Sequence, residues 1–457
     1  MTDAAAHHQY SALETPRFYK VAAATLPALV LGYSALIDPL VNFNLAEGIT
    51  HGRMVIISGE EKSTFLAKLL IPAFLVVALL LAYRLNPTLP RRLKTLAVPG
   101  ALFLAFAFAS FMWAKSPADT RTFAIYQILL CGTLFVAVAA SGEPVRILRC
   151  LLLMFAVTVA ANLVAVLLRP ESLDGHAGIY NFKNTLGGAA GCALLFGVFH
   201  LFEGRLFWRA VAWFTTIGAL VLTFASGAKT AIALVFFAPI LATVFWGTGR
   251  LLSLGPLLTS LVLLALGVSG FMTVSLLADF NVDDVLKAVY GDTTFTGRTD
   301  IWAFMYDYIQ QSPWYGNGYR GFWSLGLESP KHRSEDSFIR TIGGGHNGYM
   351  DILLDLGVIG LGLLMAFMLT MLGIINRFAL RPARRSLCYL SMFIFLGTRN
   401  MMESGILWTP AFDSLSFVLV GLLACFYEPQ DRSAPGTGTP YRTGRSPRAQ
   451  PSVTPAQ

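Results

Sequence analysis

The chain reads as an all-α polytopic membrane bundle of about 12 transmembrane helices with one large outer loop, and three observations predict it. Hydrophobic residues make up 55% of the sequence and charged residues only 13%, against about 25% charged residues in soluble domains. The mean hydropathy is +0.60. Apolar runs of about 20 residues, enough to cross a hydrocarbon core, recur along most of the sequence.

Taken in order, spans are expected at 19–38, 64–83, 95–114, 122–140, 147–168, 184–202, 207–226, 228–247, 251–277, 347–375, 385–400 and 406–427. The eleventh carries Arg399 near its end, and little more than Ser226 to Lys229 joins the seventh to the eighth, so hydropathy supports ten to twelve. Residues 1–18 contain no apolar stretch before a small-residue cleavage site, so no removable signal peptide is expected and the first span stays as an anchor. Helices 1–9 then fill 19–277, a polar loop fills 278–346, and helices 10–12 fill 347–427. Residues 428–457, rich in Pro, Gly, Ser, Thr and Arg, read as a disordered tail.

Orientation follows from the basic residues of the short loops. If the spans alternate, Arg17 and Lys20, Arg84 to Lys94, Arg146 and Arg149, Arg205 and Arg209, Arg250, and Arg377 to Arg385 all fall on one side, the cytoplasm. The N-terminus and the tail share that side, and the 278–346 loop lies opposite. The net charge of +8 is spread over both faces, and its inside excess is what the topology rule requires, so it gives no argument for nucleic acid as a partner. The five cysteines all fall within spans, so none is placed for an outer disulfide or a Cys/His metal site.

Four basic residues lie at outer span ends against this trend: Lys183 in YNFKNTLGG, Lys229 in SGAKTAIAL, Arg298 in TGRTDIW and Arg399 in GTRNMMESG. Each alone can snorkel to the interface. Together they suit a shared anionic ligand, and a diphosphate fits the planar fork of Arg and the compact charge of Lys. A diphosphate at an outer leaflet points to a lipid-linked sugar.

Within the loop, TGRTDIWAFMYDYIQQSP reads as an amphipathic helix on the membrane surface, capped by Thr296 or Thr299, with Ile301, Trp302, Met305 and Ile309 on one face and Pro313 after its end. SPWYGNGYRGFWSLG then sets Trp314, Tyr315, Tyr319, Phe322 and Trp323 among glycines, as a sugar-stacking surface or as interfacial anchors. Its GNGYRG lacks the Gly-Lys-Ser/Thr ending of a phosphate loop.

His346 is the most specific candidate. It follows Gly343 to Gly345 and precedes a helix on which Asn347, Asp351 and Asp355 share a face. The positive end of that helix favours a neutral ring, which can accept a proton from a sugar hydroxyl. The same residue could instead be a hydrogen-bonding cap. Asp351 and Asp355 could bind a sugar hydroxyl or pair inside the bundle, while Gly357, Gly360 and Gly362 suit close helix packing.

TGRTDIW paired with HNGYMDILLDLGVIGLG across a long outer loop resembles the O-antigen ligase and polymerase superfamily. YGNGYRGFW and NMMESG look most like its exopolysaccharide polymerases of the succinoglycan type, and NFKNTLGG and SGAKT match weaker positions, so the resemblance spans about 180–405. It implies a GT-C-like bundle in the bacterial inner membrane with a periplasmic catalytic loop, acting as a metal-independent glycosyltransferase without a cofactor. The donor would be an undecaprenyl-diphosphate-linked glycan. The acceptor would be a lipid-linked repeat unit in a polymerase, or lipid A-core in an O-antigen ligase. A chain-length regulator and a flippase are implied partners.

Carried onto this chain, the resemblance makes His346 the base and places Arg298 and Lys229 on the diphosphate, with Lys183 and Arg399 assisting. Many ligases carry Arg where SGAKT has Lys229, so a point charge replaces a fork there. Asn347, Asp351, Trp302 and Trp323 are the expected substrate contacts. A multispanning transporter would share the span number, but it would carry ionisable residues near the midplane and related halves. A non-catalytic flippase subunit gives His346 no role.

Overall fold

The computed structural model describes residues 17–41, 60–169, 175–202, 204–252, 259, 298–325, 329–337, 339–376, 383–408 and 411–426. The regular elements among them are helices: α1 (Arg17–Val41), α2 (Glu60–Leu85), α3 (Arg91–Ala109), α4 (Pro117–Ser141), α5 (Pro144–Leu168) and α6 (Lys183–His200). They continue as α7 (Leu206–Ala225), α8 (Lys229–Leu251), α9 (Arg298–Gln311), α10 (Gly348–Asn376), α11 (Ala383–Arg399) and α12 (Phe412–Cys425). Local signals explain several ends. Pro117 and Pro144 sit in the first turns of α4 and α5, where a missing N–H costs nothing, and Gly142 ends α4 with φ +57°.

Eight of these helices, α1 to α5, α7, α8 and α10, are long and apolar enough to cross a membrane by length and composition. Among the described residues, eight of the expected spans meet that measure. α6 opens on polar residues and ends on His200, α11 has 17 residues and carries Arg399, and α12 has only 14. Of the expected ninth span, residues 253–277 other than Thr259 lie outside the described residues, as do the expected tail and Thr296.

The short α12 is the core. All its residues except Asp413 are buried, and it packs against α1, α3, α4, α6, α10 and α11. A helix apolar all round is stable where protein surrounds it, which is why 14 residues suffice. The outer helices contrast with it: Leu80 and Tyr83 of α2 and Leu102 of α3 are more than half exposed.

α10 is broken. Gly357 has φ +65° and ψ −167°, outside any helical region. The segment 313–318 fills the break and takes up the backbone groups it frees. Val358 N–H donates to Pro313 O at 2.8 Å, Asn317 N–H to Leu354 O at 3.0 Å, and Gly318 N–H to Asp355 O at 2.8 Å. Non-helical backbone inside an apolar helix is tolerated where protein pairs its freed groups.

Two loop expectations change. The apolar face of α9 is spent on protein, because Ile301, Met305 and Ile309 are buried and the helix packs on α10. Thr299 lies inside the first turn of α9, so it is no cap. Of the aromatic stretch, Tyr319, Phe322 and Trp323 are core residues, and only Trp314 and Tyr315 are well exposed.

Candidate active site

The site forms where the start of α9, the turn before α10 and the segment after α11 meet the first turn of α6. Its hub is Glu403. One carboxylate oxygen accepts from Arg298 Nη2 at 2.8 Å and from Asn184 Nδ2 at 2.7 Å. The other lies 3.3 Å from His346 Nδ1. Burial alone would raise this carboxyl, but the hydrogen bond to His346 and the charges of Arg399 and Arg298 outweigh it, and Glu403 is held below the ordinary carboxylate range.

His346 adopts the left-handed conformation, φ +49°, which histidine tolerates better than most side chains and which the preceding glycines make accessible. Its ring is 44% exposed. With Nδ1 turned to Glu403, the hydrogen bond selects the tautomer whose Nε2 is an acceptor. Asn347 acts as the cap of α10, its Oδ1 accepting from Tyr349 N–H and Met350 N–H at 3.1 and 3.2 Å.

Asp351, one turn into α10, fastens three segments at once. It accepts from Gly345 N–H and Trp323 Nε1–H, each at 3.0 Å, and from the Ser404 hydroxyl. Trp302 Nε1–H donates to Gly345 O at 3.0 Å, so the residue before His346 is held from both sides. Asp351 is fully buried and Trp323 nearly so. That placement departs from their expected role as substrate contacts: neither has a face open to a sugar, and their chemistry is to position the two loops. Asp355 accepts from Trp408 Nε1–H at 2.8 Å and Arg320 N–H at 2.8 Å, the inward pairing that was the alternative for these carboxylates.

The expected basic group splits. Arg298 joins Glu403 and stays 13% exposed. Arg399 is buried in an ion pair with Asp413 and donates through Nη2 to Asn184 O at 2.7 Å, with Gly188 leaving the room its guanidinium needs. A diphosphate would have to compete with Asp413 for it, so its role as a diphosphate contact gives way to that of a brace for α6. Lys183 and Lys229 are the first residues of α6 and α8, whose starting turns meet at Gly187 and Ala228. Two helix N-termini side by side, each opened by a lysine, favour an anion.

Residues 214–365 match the family model described as O-Antigen ligase. In that segment the chain is similar to the O-antigen ligase family. The exopolysaccharide production protein ExoQ of Rhizobium meliloti (strain 1021) is 26% identical to it over 279 residues, covering 59% of this chain and 62% of that protein. The matched O-antigen ligase segment contains Lys229, Arg298, His346, Asn347 and Asp351. Glu403, Asn184 and Arg399 lie outside it. Glu403 is a site residue that no local pattern in the sequence singles out, although it lies within NMMESG, the late motif of the superfamily resemblance.

Proposed function

We propose that the protein is a metal-independent glycosyltransferase that polymerises undecaprenyl-diphosphate-linked repeat units at the periplasmic face of the inner membrane. The observation that carries this reading is the shared carboxylate of Glu403, which brings His346 and Arg298 together from segments far apart in sequence. The acceptor hydroxyl attacks the anomeric carbon and its proton passes to His346 Nε2. The new C–O bond forms as the bond to the diphosphate breaks, and the diphosphate leaves with that electron pair. Glu403 orients the ring through Nδ1–H and stabilises the imidazolium that forms.

Arg298, with Lys229 and Lys183 at the paired helix starts, stabilises the departing diphosphate. Asn347 fixes the turn that carries His346. Trp302, half-buried beside Gly345, flanks the same turn.

In membranes assayed with excess chelator, wild-type protein should extend lipid-linked chains and His346→Ala should lose at least about 10²-fold in rate. Extension that needs a divalent ion, or that survives His346→Ala, contradicts the mechanism. The family's description favours a second reading, transfer to lipid A-core by the same chemistry. Gene deletion separates the two: lost exopolysaccharide with intact lipopolysaccharide marks a polymerase, and lipopolysaccharide without O-chain marks a ligase.

A further inference from the structure

A half-open cavity of about 390 Å³ is lined in part by Asp413, the ion-pair partner of Arg399. Its walls come from the end of α1, the turn before α6, the 313–325 segment and the start of α12. All of these sit at or beside the span ends that the charge rule puts on the outer side.

The backbone around it is unusual in two places. Residues Tyr33–Ile37 of α1 form a π-helical stretch, a feature often found at functional sites. Tyr180 donates its hydroxyl to Ala35 O there at 2.9 Å. Ser34 and Asp38 line the cavity from this stretch. Across from them Arg320 holds φ +53°, a left-handed conformation that costs energy in a residue other than glycine.

The Arg320 guanidinium is held by rings, 4.0 Å from the centroid of Phe123 and 4.8 Å from that of Trp408. Among the described residues no carboxylate pairs with it, and its Nε is buried without a partner. As a lining residue it brings guanidinium donors to the cavity. Asn181 is exposed at the rim and Phe182, 60% exposed, adds an open ring face.

We propose that this cavity is a glycan subsite that holds a sugar residue of the polymer, removed from the bond being made. Hydroxyl, amide, carboxylate and guanidinium groups around an exposed ring match a pyranose, which offers alternating donors and acceptors and one apolar face. A second phosphate site fits poorly, because Asp38 and Asp413 face the same space and repel an anion. Asn184 links the subsite to the reaction centre. Its carbonyl accepts from Arg399, the partner of Asp413, while its amide donates to Glu403.

The subsite rests on the transferase reading, yet its test is independent of turnover. Oligosaccharide repeats released from the host's own surface polysaccharide, free of lipid and diphosphate, are titrated onto the full-length protein in detergent and followed by saturation-transfer NMR. Wild type and His346→Ala should bind alike, while Phe182→Ala and Asn181→Ala should each bind about tenfold more weakly. Both substituted side chains are exposed, so the fold should survive them. Undiminished binding in both variants, or no binding by wild type, overturns the subsite. Persistent chain extension by His346→Ala would instead overturn the base mechanism and leave the binding result standing.

Discussion

Glu403 bears on Arg298, Asn184 and His346 through one carboxylate, so its charge and its geometry can be tested separately. Glu403→Gln keeps the shape and removes the charge. Without it the imidazolium formed during transfer loses its counter-charge, and the rate should fall on the order of 10²-fold with donor KM changed less. An unchanged rate would remove Glu403 from the mechanism. The same substitution has a pH signature. Because the folded carboxyl lies below its ordinary value of 4.5, its ionised form stabilises the fold above that value, and this contribution is lost as pH falls through the lower folded value. Thermal unfolding of purified protein should therefore show wild type losing more stability than Glu403→Gln as pH drops from about 5 to about 3.

The broken α10 is the element that joins the site to the bundle. Its first half carries Asp351 and Asp355 behind the Asn347 cap, and its break at Gly357 admits the 313–318 segment, after which Tyr319, Phe322 and Trp323 are buried. An added Cβ at Gly357 would fall on the Trp314 backbone, and its φ of +65° with ψ near −167° is available to little but glycine. Gly357→Ala should cost at least about 1–3 kcal/mol from backbone strain alone, visible as a lower unfolding temperature in detergent. A variant as stable as wild type would mean that the helix can close straight without the inserted segment. The helices themselves were legible, because long apolar runs bounded by Pro, Gly and basic loops leave few alternatives. The break was not, since Gly357, Gly360 and Gly362 look alike in sequence, and only the path of a segment some 40 residues earlier singles out the first.

At the scale of the molecule, apolar runs could not separate lipid-facing from protein-facing helices, because leucine and phenylalanine serve both; hence α12 reads as a span and is the buried centre. Arg399 illustrates the same limit, its partner Asp413 sitting on the next helix. His346 and Arg298 were legible through local motifs, whereas Glu403 gains meaning only when three distant segments converge. The basic residues of the opposite loops give an expectation for the sidedness of the site. That sidedness is open to direct test. Of the five native thiols, four are buried and Cys150 is partly so, which keeps the labelling background low. In spheroplasts, Asn181→Cys, at an exposed position on the cavity rim, should react with a membrane-impermeant maleimide. Arg205→Cys, exposed between α6 and α7, should react only after permeabilisation. The reverse pattern would put His346, Arg298 and Glu403 in the cytoplasm, where nucleotide-sugar donors are made, and the lipid-diphosphate donor would lose its topological basis.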